Sequence, residues 1–189
     1  MVLISGHRLR QIGNFEPEIM YISLKNNSER EQIAKELLGR ILNKYNLEKW
    51  FQCKEIVIEQ DATGKAFPII RLSAWKNDEE GMMAQFLHEQ YHWIEKGKEE
   101  QMGNAIRELK ILFPNAPLEK PEGGGSESST YKHLIVCRLE FLALKEILGE
   151  GVAKRIVSSN KNYTWIRRVI LERSSDIDGI IRKYFPEVI

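Results

Sequence analysis

The chain has 189 residues, of which 42% are hydrophobic and 29% charged, and its 28 basic and 27 acidic side chains leave a net charge of +1. This composition is typical of one globular domain and excludes a disordered or collagen-like chain. A nearly neutral chain has no overall field that would attract nucleic acid or an anionic membrane, so we expect neither as a partner.

Cysteine usage and the start of the chain bear on the compartment. Cys53 and Cys137 both lie beside apolar residues, a setting typical of free thiols in a reducing environment rather than of a disulfide framework. The chain opens with only four apolar residues, and no run approaches the roughly 18 apolar residues of a membrane span. We therefore expect a cytoplasmic protein.

The first predicted elements are a strand and a helix. Residues 19–22 form a short apolar run that ends before a polar turn, which is typical of a buried strand. Ser28 is followed three residues later by Glu31, and apolar residues then recur at helical spacing. This capping box predicts a helix from Ser28 to about Tyr45.

A hairpin and a second helix are expected next. Residues 54–60 and 67–75 are apolar runs, and residues 61–65 between them, Asp-Ala-Thr-Gly-Lys, have the chemistry of a turn. Asn77 is in position to cap the following helix, because Glu80 occupies the third position after it.

Most of the remaining chain is predicted to be helical, with one loop. Three prolines and a Gly-Gly-Gly-Ser run within residues 114–130 predict a mobile loop there. We predict an α+β fold, in which a small antiparallel or mixed sheet is followed by an active-site helix and a mostly helical C-terminal part. The predicted single domain comprises residues 1–76 with the strands and first helix, 77–113 with the active-site helix and the next helix, the loop 114–130, and the helical part 131–189 with helices near 128–148, 151–158 and 163–184.

The chemistry is concentrated in His88-Glu89-Gln90-Tyr91-His92. Histidines four residues apart on a helix differ by only about 40° in direction and about 6 Å in height, so His88 and His92 can bind one ion. Glu89 projects about 100° away from His88, where it can take a proton from a metal-bound water. The spacing predicts one divalent ion, expected to be zinc, with Glu89 as general base.

A catalytic zinc usually has three protein ligands, so a further ligand is expected elsewhere. Glu140 lies within residues 134–144, a helical stretch that is apolar nearly all the way round. A buried carboxylate needs a partner, and we prefer zinc as that partner; the alternative is a salt bridge to an arginine such as Arg107 or Arg168. His133 competes with Glu140, because residues seven apart on a helix are separated by about 10 Å along its axis and cannot easily share one ion.

If Glu140 is the ligand, His133 is expected to line the cleft as a catalytic residue that holds substrate or stabilises a developing oxyanion. A histidine at a helix start with only a structural hydrogen bond is an equal alternative. Tyr131 and Tyr163 are further candidates for donating a hydrogen bond to an oxyanion, and their local sequence does not separate this role from packing.

With His88-Glu89-Gln90-Tyr91-His92 and a later Glu140, the chain resembles the zincin metallopeptidases, and more closely their gluzincin branch. The resemblance covers roughly residues 54–148. It implies a zincin-like domain in which residues 67–75 form the edge strand that holds an extended peptide. Around Glu140 the chain reads Leu-Glu-Phe-Leu-Ala-Leu, which departs from the Asn-Glu-x-x-x-Asp pattern common in that branch.

The function expected from these observations is zinc-dependent hydrolysis by a small cytoplasmic metallopeptidase that acts on a peptide or protein. The alternative is a zincin-fold module with little or no turnover that binds a peptide or protein partner. A structural zinc site is disfavoured, because such sites usually close all four positions with Cys and His, and Cys53 and Cys137 lack ligand spacing.

Overall fold

A computed structural model describes residues 20–62 and 68–189. They belong to two compact units, of which the first ends at Trp93 and the second begins at Ile94, where the sequence predicts a single domain. The predicted α+β class is confirmed: the first unit contains a small sheet and two helices, and the second is helical. Residue 19 of the first predicted strand and residue 67 of the predicted edge strand lie outside the described residues.

The sheet has three parallel strands in the order β1-β2-β3, with bounds Tyr21–Leu24, Glu55–Glu59 and Ile70–Ser73. Its register places Ile22 beside Ile56 and Ile56 beside Ile70. All three of these side chains are buried, so each contributes about 1.5–3 kcal/mol through the removal of apolar surface from water. This aliphatic row holds the strands in register.

The predicted hairpin, and with it the antiparallel or mixed sheet, is wrong: β2 and β3 run parallel. The connection between them, residues 60–69, is shorter than the crossover that usually joins parallel neighbours, so its length and turn residues favoured an antiparallel pair. Turn residues in a sequence indicate that a chain changes direction, but they do not indicate how many times it does so. Local turn chemistry does not encode strand pairing, which depends on packing between residues that are distant in the sequence.

The first helix, α1 (Glu29–Lys44), begins with the predicted capping box, which is confirmed. Glu31 is fully buried and accepts hydrogen bonds from the backbone N–H groups of Asn26, Ser28 and Gln60 at 2.9, 3.3 and 3.0 Å. One carboxylate thereby joins the segment after β1, the start of α1 and the segment after β2. Burial alone would raise the pKa of Glu31, but these hydrogen bonds outweigh it and hold the pKa below its ordinary value.

The second helix, α2 (Glu79–Tyr91), packs against α1 and β3. Its cap is Asp78 rather than the predicted Asn77, since the Asp78 carboxylate accepts a hydrogen bond from the Gly81 N–H at 2.7 Å. Both residues are good caps, and the side chain that reaches the third backbone N–H of the helix decides between them.

The second unit is built around α4, which contacts four other helices. Its helices have the following bounds: α3 Glu99–Leu112, α4 Glu127–Leu148, α5 Glu150–Ser159, α6 Thr164–Glu172 and α7 Ser174–Tyr184. The predicted helical region 163–184 is divided into α6 and α7 at Arg173. In α4 the buried residues extend round the whole helix from Leu134 to Leu139, as the apolar sequence predicts.

The segment predicted as a mobile loop, residues 114–130, is held by specific hydrogen bonds, and its last four residues belong to α4. The N–H groups of Gly123 and Gly125 donate to the carbonyls of Glu119 and Leu118 at 2.7 Å each. A Cβ atom at Gly123 would lie 2.1 Å from the Pro117 carbonyl oxygen, so only glycine fits this turn.

Among the described residues, none of the helices has the length and apolar character needed to cross a membrane. Cys53 and Cys137 are buried free thiols, as the sequence predicts.

We expect Glu31→Gln to lower the free energy of unfolding by about 2–3 kcal/mol at neutral pH, because it leaves buried N–H groups without a charged acceptor. Urea unfolding would measure the loss, and Glu36→Gln on an exposed position of the same helix is the matched control. Since the folded pKa is lowered, the difference between wild type and Glu31→Gln should be complete above the ordinary pKa of glutamate. It should shrink as the pH falls through the lower folded value. A difference that is constant down to pH 2 would contradict this account.

Candidate metal and catalytic site

The end of α2 positions the two histidines of the motif. His88 lies in the last turn of α2, and His92 is the residue at which the helix ends. The backbone of His92 is still helical, with φ −63° and ψ −21°, and a short 3-10 helix continues from His92 to Glu95. The α-helical spacing from His88 to His92 is therefore kept, and the 3-10 geometry begins at His92.

The Nε2 atoms of His88 and His92 are 3.2 Å apart. Their rings are inclined at 77°, with centroids 4.9 Å apart. Two imidazole nitrogens bound to one tetrahedral zinc at about 2.0–2.1 Å are separated by roughly 3.3–3.4 Å. The donor atoms and their separation therefore fit a single zinc ion.

Glu89 follows directly on the helix and is buried, with 5% of its surface exposed. His88 is also buried and His92 is half-buried. A carboxylate beside two imidazoles in a largely water-excluded setting interacts more strongly with nearby charge than it would in water. Glu89 is therefore a buried carboxylate adjacent in sequence to His88.

Gln90 in the middle of the motif has a structural role that the sequence does not reveal. Its side-chain oxygen accepts hydrogen bonds from the N–H groups of Gln52 and Cys53, both at 2.8 Å, and its Nε2 donates to the Cys53 carbonyl at 2.8 Å. This fully buried amide fastens the end of α2 to the segment that precedes β2. It holds the backbone between Glu89 and His92 in place.

In the second unit, Glu140 of α4 forms a buried salt bridge with Arg167 of α6. The Arg167 Nη1 and Nη2 atoms donate to the two Glu140 carboxylate oxygens at 3.1 and 3.3 Å. Burial by itself would lower the pKa of Arg167, but the charge of Glu140 outweighs it and raises the pKa. Glu140 therefore has an arginine partner, the predicted alternative to zinc, but this partner is Arg167 rather than Arg107 or Arg168.

His133 lies two turns before Glu140 on α4 and has a defined tautomer. Its Nδ1 is 2.7 Å from the Ser129 carbonyl oxygen, and since a carbonyl only accepts, Nδ1 carries the proton. The Nε2 atom of the neutral ring is then the basic one, the arrangement usual for a histidine that binds a metal or a proton. The ring also stacks on Tyr163, with centroids 4.2 Å apart and an interplanar angle of 26°.

The two tyrosines considered as oxyanion donors differ in their surroundings. The Tyr131 hydroxyl donates to the Phe113 carbonyl at 2.8 Å in a buried setting, so its proton already has a structural acceptor. Tyr163 precedes α6 in the left-handed conformation, with φ 59° and ψ 38°, which costs a residue with a side chain roughly 1–2 kcal/mol. In this conformation the Tyr163 ring stacks on His133.

Sequence reasoning missed Arg167 and Gln90 for different reasons. Arg167 stands between apolar positions of a short helix, and an arginine in that setting indicates a buried partner, so it could have been paired with Glu140. Gln90 shows no such pattern, because its backbone partners at positions 52 and 53 are distant in sequence.

Comparison with known proteins returns no match: no family model, no curated protein and no solved structure is significantly similar to the chain.

We expect Glu140→Leu alone and Arg167→Met alone each to lower the free energy of unfolding by about 3–5 kcal/mol, since each leaves a buried charge without its partner. The double variant should recover most of the loss, because it removes both charges. Urea unfolding of the four proteins would give the coupling energy. The exposed pair Lys145 and Glu150 is the control and should show no resolvable coupling. Additive losses at Glu140 and Arg167 would contradict the pairing.

Proposed function

We propose that His88 and His92 bind one divalent cation, expected to be zinc, and that the protein is a zinc-dependent hydrolase, most simply a small metallopeptidase. The observation that carries this proposal is the 3.2 Å separation of the two Nε2 atoms. Two basic nitrogens that face each other at this distance need a proton or a cation between them, and the separation suits a shared zinc ion.

Zinc, when bound, supplies a Lewis acid that polarises a carbonyl and lowers the pKa of water. Glu89 then acts as general base, and one of its carboxylate oxygens takes a proton from the attacking water. The same carboxyl group returns the proton to the amine that leaves the cleaved amide. Because Glu89 follows His88 by one residue, it projects about 100° away from His88 around the helix and would stand beside a bound ion rather than ligate it.

Gln90 contributes by position rather than by chemistry. Its three hydrogen bonds to positions 52 and 53 fix the backbone that carries both imidazoles and Glu89. A site of this kind depends on geometry held to about 0.5 Å, and a buried, fully bonded amide supplies such support.

The third ligand remains a prediction from the sequence, with Glu140 preferred and His133 as its competitor. Within the second unit, both Glu140 oxygens already accept hydrogen bonds from Arg167. His133 has its Nδ1 proton engaged by Ser129. A carboxylate has about four acceptor positions, so Glu140 could bind a metal ion while it keeps its salt bridge with Arg167.

Purified wild-type protein is expected to contain about one zinc per chain after zinc is supplied and the excess is dialysed away. Elemental analysis should show that His88→Ala and His92→Ala lose it, because each removes one of two adjacent ligands. Glu140→Gln and His133→Asn tested in parallel identify the third ligand as the variant with reduced zinc. Full zinc content in His88→Ala would refute the site.

Glu89→Gln should keep the zinc and lower the hydrolysis rate about 10²- to 10⁴-fold, because the side chain keeps its shape and loses its basicity. Cleavage of a mixture of unstructured peptides, followed by mass spectrometry, would measure the change. Glu99→Gln, a replacement at an exposed position of α3, is the control and should leave the rate unchanged. Equal turnover by Glu89→Gln and wild type would rule out the mechanism.

A further inference from the structure

Helix α2 carries two glutamines in opposite hydrogen-bonding states. Gln90 has three hydrogen bonds and no exposed surface. The Oε1 atom of Gln85 is buried, yet it accepts a hydrogen bond from no described residue. A buried acceptor without a donor opposes folding, so an unsatisfied group of this kind calls for a functional explanation.

Gln85 is placed on the face of α2 that bears the chemistry. It precedes His88 by three residues and Glu89 by four, and residues with these spacings are neighbours on a helix surface. Long side chains on a helix lean toward its N-terminus, so the Glu89 carboxylate leans over the turn that carries Gln85. Within α2 from Met82 to Tyr91, Gln85 is half-buried, whereas the other residues of this stretch are buried.

We propose that Gln85 binds substrate: its half-buried side chain turns its amide oxygen toward a peptide held beside Glu89, and the oxygen accepts a hydrogen bond from a backbone N–H of that peptide. This inference rests on the proposed hydrolase function and names the substrate class. The amide oxygen of Gln85 needs an N–H or O–H donor. A peptide offers backbone N–H groups at almost every residue, including those near the carbonyl that is attacked. A carboxylate-bearing or phosphate-bearing ligand would place an acceptor against an acceptor and is disfavoured.

The arrangement also explains why an unsatisfied oxygen persists in a buried helix. In the complex, a donor on the ligand satisfies the oxygen. The unpaired oxygen destabilises the free protein, and binding of a substrate with a correctly placed N–H relieves this destabilisation. Substrates without that N–H leave the oxygen unpaired and are rejected, which is how a buried polar group confers specificity.

The test uses two probes that differ in a single N–H. N-acetyl-leucine hydroxamate has a zinc-binding group and one backbone N–H, and its N-methylated amide analogue lacks that N–H. Binding is measured by calorimetry with zinc-loaded wild type and with Gln85→Leu. Wild type should bind the first probe about three- to tenfold more tightly than the second, beyond any difference that remains in Gln85→Leu, which corresponds to one hydrogen bond.

Thermal unfolding separates a binding role from a structural one, and Gln90→Leu is the matched control on the same helix. Gln85→Leu removes an unsatisfied oxygen, so its melting temperature should equal or exceed that of wild type. Gln90→Leu removes three buried hydrogen bonds and should melt at a clearly lower temperature. A fall for Gln85→Leu as large as that for Gln90→Leu would assign Gln85 a structural role and overturn the proposal.

The zinc content of the same samples distinguishes the two ways of failing. Zinc-loaded wild type that binds both probes equally, or binds neither, refutes the role of Gln85 and leaves the metal site standing. A probe preference that survives in Gln85→Leu has the same meaning. Wild type that takes up no zinc refutes the metal site, and this inference with it.

Discussion

Helix α2 is buried on almost every side, and this constraint decides what its polar side chains can do. A polar group that leaves water without a partner costs several kcal/mol. The last three turns of α2 carry His88, a glutamate and two glutamines, and His92 follows at the C-cap. Gln90 meets the requirement with backbone partners. His88 and His92 meet it by facing each other across 3.2 Å, a separation that a shared cation satisfies.

The same rule organises the second unit around α4. Arg167 pairs with Glu140, and Arg138 pairs with Asp178 at 2.7 Å, so the charges buried beside this apolar helix are balanced by ion pairs. His133 is held by a backbone carbonyl and a stacked tyrosine. The burial of Glu140 is therefore explained without zinc, and a ligand role for it has to be established from metal binding itself.

Local signals in the sequence predict much of the fold. The capping box of Ser28 and Glu31 locates α1, and the apolar stretch around Glu140 identifies a deeply buried helix. The direction of β3 was predicted wrongly, because strand pairing is decided by contacts between distant residues. The cap of α2 is Asp78, one residue after the predicted Asn77, because the two adjacent residues have similar capping strength.

In the candidate site, too, features set by local sequence could be predicted and features set by distant residues could not. The spacing of His88 and His92 is a local property of a helix, so the sequence predicts their approach, and the structure gives the distance. The partners of Gln90 and Glu140 are 37 and 27 residues away, and neither distance has a local signature. The unsatisfied oxygen of Gln85 is beyond sequence reasoning altogether, because it depends on what the side chain does not contact.

The most direct test of the central claim is X-ray absorption at the zinc edge of the zinc-loaded protein. We expect a four-coordinate ion with at least two imidazole nitrogens at about 2.0–2.1 Å in wild type, and no zinc signal above background in His92→Ala that was supplied with zinc and dialysed in the same way. A six-coordinate shell of oxygen atoms, or a spectrum that is the same in wild type and His92→Ala, would contradict it.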